Sequence, residues 1–158
     1  MSSPRDELLE AWRTNQRINL LLIDAIPAPG MKCTLSTRGG RDVAGQFAHL
    51  HNVRLWQLDK RAKDLTDGMS VFPAKTSPTK SQLRKALGVS GKAVETFLAE
   101  VLEGKSGRRG FRKGIFTTLA YFVAHESHHR GNILLTLKQS GNNPDKDARY
   151  AIWDWDRR

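Results

Sequence analysis

The chain has 158 residues, 39% of them apolar and 27% charged. That is the length of about one domain and an ordinary globular mix, which excludes collagen-like, mucin-like and broadly disordered chains. The 26 Lys and Arg against 16 Asp and Glu leave a formal charge of +10, which attracts anions and says nothing about fold. Cys33 is the single cysteine, so an intramolecular disulfide and a cysteine-rich zinc module are both ruled out.

Four helical segments read in chain order. The first runs roughly from Pro4 to Ala25: Ser3 suits the N-cap, Pro4 the first helical position, and Asp6 completes a capping box. Ile26-Pro27-Ala28-Pro29-Gly30 stops it. After a loop rich in Ser, Thr and Gly, a second helix covers roughly Arg41 to Lys63. Gly68 to Pro78 reads as a connection. Thr79-Lys80-Ser81-Gln82 reads as a second capping box, opening a third helix that continues to about Glu103, with a kink or break expected near Gly88 and Gly91. A fourth runs roughly from Ile115 to Gln139, with Gly141 as its stop. Tyr150, Trp153 and Trp155 are expected to pack the tail against the body. Four amphipathic helices and no alternating strand imply one all-α domain over 1–158, a four-helix bundle. The long connections allow a topology other than simple up-and-down. No apolar run reaches the ~18 residues of a membrane span. The polar, acidic start does not read as a signal peptide, so the expected compartment is a reducing cytoplasm.

All five histidines fall in two stretches, Phe47-Ala48-His49-Leu50-His51 and His125-Glu126-Ser127-His128-His129. At ~100° per residue, His125 and His129 lie on one face, one turn apart, so both rings can address one point. His128 lies to the other side of His125. A third imidazole from another helix would complete a three-nitrogen site with an open face, which is what a catalytic divalent metal needs. In the other stretch, His49 and His51 are ~200° apart, so only one can join. Amphipathicity leans toward His51, and periodicity does not settle the choice. The second stretch also fits H-E-x-x-H, which would make Glu126 the general base of a zinc protease. No glutamate follows Glu126 and no histidine follows His129, so the rest of such a site is missing. The plainer reading of Glu126 is a supporting or surface carboxylate that pairs with Arg130 at i+4.

Ala48-His49-Leu50 and His125-Glu126-Ser127-His128-His129-Arg130-Gly131-Asn132 resemble the two histidine motifs of the DinB/YfiT-like metalloenzymes. Helix order and length agree with that family over most of the chain. The resemblance implies a four-helix bundle holding nickel, zinc or iron on His49, His125 and His129, and so decides against His51. It implies a small-molecule substrate, in some relatives a low-molecular-weight thiol, with hydrolysis or thiol transfer as the reaction, and a homodimer. Asn132 stands where the family usually has glutamine. Glu126 and His128 are then the candidate catalytic groups, as proton carriers or supports to the ligands, with His51 in a similar role.

The link Lys105–Lys113 concentrates five basic residues among glycines and one aromatic. A nucleic-acid-binding module using it is the competing reading, and a non-catalytic dimeric bundle with structural histidines is a third. No helix-turn-helix or aromatic RNA-binding platform accompanies the link, so nucleic acid is not the expected partner. Cys33 has no activating neighbour in sequence. Trp12 and Trp56 read as core.

Overall fold

In a computed structural model, which describes residues 3–158 apart from the Ser106 side chain, the chain forms α1 (Pro4–Ala25), α2 (Val43–Asp59), α3 (Lys80–Leu102), α4 (Ile115–Gln139) and a short α5 (Lys146–Ala151). No strand occurs among the described residues. Both capping boxes form. Ser3 Oγ accepts the Asp6 N–H at 3.2 Å and Asp6 Oδ2 accepts the Ser3 N–H at 3.3 Å. Thr79 and Gln82 make the reciprocal pair at the start of α3. Each box satisfies backbone donors that a helix start otherwise leaves open.

The apolar residues gather in two clusters. One joins Leu22 and Ile23 of α1 and Ile26 just beyond it to Phe47 and Leu50 of α2, Leu83 and Leu87 of α3, and Ile133 and Leu137 of α4. The other joins Leu8, Leu9 and Trp12 to Leu58, to Val94, Phe97 and Leu98, and to Phe122. The first therefore takes the end of α1, the starts of α2 and α3, and the end of α4. So α1 and α4 run one way and α2 and α3 the other, in an up-down-down-up order. Two parallel neighbours need a connection that travels the length of the bundle, and residues 60–79 are that connection.

Between the clusters lies a buried polar layer. Glu126 of α4 receives Arg54 of α2 at two points, Nε to Oε1 at 2.6 Å and Nη2 to Oε2 at 2.9 Å. Asn15 and Asn19 of α1 donate to Glu126 Oε2 at 2.6 and 2.7 Å. Their own amide oxygens each accept from Arg130 Nη1 at 2.8 Å. Arg54 Nη1 also donates to the Leu87 carbonyl of α3 at 3.0 Å. One network thus touches all four long helices and satisfies charges that would be costly to bury alone.

Several boundaries differ from the sequence expectation. Helix α2 starts at Val43 because Asp42 is its cap, accepting the Gly45 N–H at 2.7 Å. It ends at Asp59, leaving Lys60 to Lys63 beyond it. Helix α3 is continuous through Gly88 and Gly91. Gly91 lies where α1 comes closest: Trp12 Nε1 donates to its carbonyl at 2.9 Å, and a Cβ there would stand 2.6 Å from Gln16 Cδ. The tail is held by buried Ile152 and by Thr14 Oγ1 and Arg17 Nη2 donating to the Arg158 carbonyl. Its aromatics do not do the packing: Tyr150 and Trp153 are 66% and 74% exposed. No helix among the described residues is long and apolar enough to cross a membrane.

Candidate metal centre

Helix α4 is rotationally fixed by burying Phe122, Glu126, Arg130, Ile133 and Leu137. His125 and His129 flank that buried face and point together toward α2. There they meet His49. The ring centroids are 4.8 Å apart for His125 and His129, 4.9 Å for His49 and His129, and 5.3 Å for His49 and His125. One ring nitrogen from each lies within 4.8 Å of the others. Three donors at the ~2.0–2.1 Å bond length of a zinc–imidazole site stand roughly 3–3.4 Å apart, so the three rings are within reach of a shared ion.

The donor chemistry suits a cation as well. A metal takes the neutral imidazole, not the imidazolium. Burial, followed by the Arg41 charge and His125, holds the His49 pKa down to about 4. Burial, followed by the neighbouring imidazoles, holds His129 down to about 3. His125 is lowered too, burial outweighing the opposite pull of Glu126. All three rings are therefore unprotonated near neutrality without any ion.

Gln46, three residues before His49, is a member of the site that the sequence reading did not name. His129 Nδ1 lies 3.3 Å from Gln46 Oε1. An amide oxygen only accepts, so Nδ1 carries the proton and Nε2 keeps its lone pair for a ligand bond. Tyr121, one turn before His125, stacks on it with centroids 6.0 Å apart and planes 10° off parallel. Its hydroxyl accepts from Gln57 Nε2 at 3.3 Å. Trp56, expected in the core, is 47% exposed, and its ring centroid stands 6.0 Å from that of His49. The i, i+3 and i, i+4 spacings of Gln46 to His49 and Tyr121 to His125 were the available signals.

Two other candidates lie elsewhere. Glu126 faces the polar layer and both of its oxygens accept hydrogen bonds there. Burial alone would raise its pKa, but Arg54, Asn15 and Arg130 outweigh this and the net shift is downward. Arg130 reaches it only through the amides of Asn15 and Asn19, not as a direct i+4 pair. His51 is buried, its Nδ1 3.0 Å from the Ala86 carbonyl and its Nε2 3.0 Å from the Ser70 carbonyl. Both nitrogens face backbone carbonyls, away from the cluster, and the single N–H of the neutral ring donates to one of them. His128 is exposed at the rim, its ring centroid 5.1 Å from that of His129 and its Nε2 3.1 Å from Asn132 Nδ2.

The basic link is partly neutralised from within. Arg108 pairs with Asp64 and with Glu100, and Lys105 Nζ lies 3.5 Å from Glu100. Arg61 lies over the Phe111 ring at 4.5 Å and Tyr121 packs against it with centroids 4.9 Å apart, so the aromatic of the link is already engaged within the chain. The family model described as DinB family matches residues 1–155. No curated protein matches the chain.

Proposed function

The chain belongs to the DinB family, and from that premise we propose that it is a metal-dependent enzyme acting on a small molecule by hydrolysis or thiol transfer, with His49, His125 and His129 as the metal ligands. The observation that carries the reading is the convergence of three imidazoles from two helices on one point. A divalent ion held there supplies Lewis acidity, polarising a substrate oxygen or lowering the pKa of a bound water or thiol. The chain's own groups do the rest. Gln46 fixes the tautomer and tilt of His129. Tyr121 backs His125. Burial keeps all three rings free of protons. His128 stands at the rim beside His129, its Nε2 accepting from the Asn132 amide, so that Nδ1 is the nitrogen it turns to solvent for proton exchange. Glu126 acts by holding α4 in register, since its oxygens are already occupied.

The test is metal analysis of protein prepared without a histidine tag and incubated with nickel, zinc or iron. Near-stoichiometric metal, lost in H125A and H49A but kept in H51A, supports the proposal. Wild-type protein that retains none of the three metals after desalting defeats it.

A further inference from the structure

A cavity of about 360 Å³ opens beside the cluster, with His129 and Gln46 in one wall and Arg41, Thr34 and Ser36 in another. The local fold explains why these meet. The Cys33 carbonyl accepts the Val43 N–H at 3.0 Å, closing the loop so that residues 34–36 return beside the start of α2. Arg41 immediately precedes the capping Asp42, and the distance along the helix axis from Val43 to His49 is only ~9 Å.

The lining contains no carboxylate, and Arg41 supplies its fixed positive charge. Arg41 is exposed and makes no ion pair or side-chain hydrogen bond among the described residues. The hydroxyls opposite are oriented. Thr34 Oγ1 accepts the Ser36 N–H at 3.1 Å and Ser36 Oγ accepts the Arg38 N–H at 3.3 Å, which leaves each hydroxyl its own proton to donate to a ligand. A guanidinium fork with added hydroxyl donors and no competing acid matches a carboxylate. The Asp42 carboxylate, at the start of α2, occupies the helix terminus that would otherwise help hold a dianion, so a monoanionic group fits better than a phosphate. The Arg41 charge is also felt at His49, His125 and His129, where it adds to burial.

We propose that Arg41 seats a carboxylate of the substrate in this cavity, so that the enzyme selects short-chain acids over their neutral isosteres. The inference rests on the metal reading above and goes beyond it by naming a substrate class. The probes are 3-mercaptopropionate and 3-mercaptopropionamide, titrated into cobalt(II)-loaded protein and followed by the thiolate-to-cobalt charge-transfer band. The acid is expected to bind about tenfold or more tighter than the amide, the size of a charge-assisted hydrogen bond. R41A should abolish that preference while leaving the amide's affinity in place, and R41K should restore part of it. Equal affinities in the wild type, binding of neither probe, or an undiminished preference in R41A overturns the proposal while leaving metal binding intact. Absence of any protein-bound cobalt spectrum takes down the metal reading, and this one with it.

Discussion

Arg54 and Glu126 grip each other at two points in the centre of the bundle, at 2.6 and 2.9 Å, and His125 is the next residue back along α4. A bidentate pair fixes direction as well as distance. The rotation of α4, and with it the aim of His125 and His129, is therefore tied to a contact with the helix that carries His49. Sites need such support to hold their geometry.

Breaking that pair from one side should be costly. R54A leaves a buried carboxylate facing only amides and a distant guanidinium, and E126Q leaves two buried guanidinium groups with no carboxylate. Each is expected to lose about 3–5 kcal/mol of stability in urea unfolding. The triple variant R54M/E126L/R130M, which removes all three charges of the layer, should recover part of that loss, with the Asn15 and Asn19 amides still lacking their charged partners. Single losses below about 1 kcal/mol would show that the pair does not organise the core.

The metal-free protein should lose stability as the medium turns acidic. His49 and His129 titrate near 4 and 3 in the fold, against 6.5 as their ordinary value. Below about pH 6.5 the unfolded chain takes up protons that the folded chain refuses, so stability rises with pH across this window. It is complete above 6.5 and is progressively lost as the pH falls toward 4 and 3. Melting temperatures of the metal-free protein between pH 7.5 and 4 should fall, and the fall should be shallower in H49A and in H129A. Identical slopes in all three proteins would contradict the assignment.

Gln46 should matter to affinity rather than to folding. In Q46L the ring of His129 loses its hydrogen-bond acceptor and is free to rotate or to place its proton on Nε2. Metal affinity, measured by competition with a chelating dye, is expected to drop about 10–100-fold while the far-ultraviolet circular dichroism stays unchanged. Unchanged affinity would remove Gln46 from the site.

His51 and His49 should separate cleanly. H51A removes a buried ring and leaves the Ser70 and Ala86 carbonyls without it, for an expected loss of about 2–4 kcal/mol. Amide exchange should rise in residues 60–79 and metal content should stay the same. H49A should show the reverse pattern, with metal lost and exchange in that segment unaltered.

The legible part of the site was the part written within one helix. His125 and His129 announce their common face by spacing alone. The choice between His49 and His51 was not available from periodicity, because α2 is buried around most of its circumference: Phe47, Ala48, Leu50, His51, Asn52, Val53, Arg54 and Leu55 are all buried. A helix covered on most sides has no polar face to orient it. The role of Glu126 was hidden for a related reason. Its partners come from α1 and α2, far away in sequence, and H-E-x-x-H describes only its own turn. The caps of α1 and α3 were legible because they are local. The expected kink at Gly91 failed because propensity does not register the close approach of α1. The tail aromatics failed because size suggested burial, whereas Ile152 takes the inner position.

The lengthwise passage of residues 60–79 divides the chain into two halves, α1 with α2 and α3 with α4, and the helices pack mainly across the halves, α1 and α2 each against α3 and α4. Such an arrangement invites two chains to trade their second halves, each completing the other's core with the same contacts. What opposes the trade is the hold of α2 on the strap: Asn52 exchanges two hydrogen bonds with Phe72, at 2.9 and 2.8 Å, and the buried His51 ring sits between the Ser70 carbonyl of the strap and the Ala86 carbonyl of α3, each 3.0 Å from a ring nitrogen. The residues that keep each chain folded upon itself thus sit within three positions of the proposed ligand His49, and a change meant to retune the metal there risks loosening the chain's hold on its own second half.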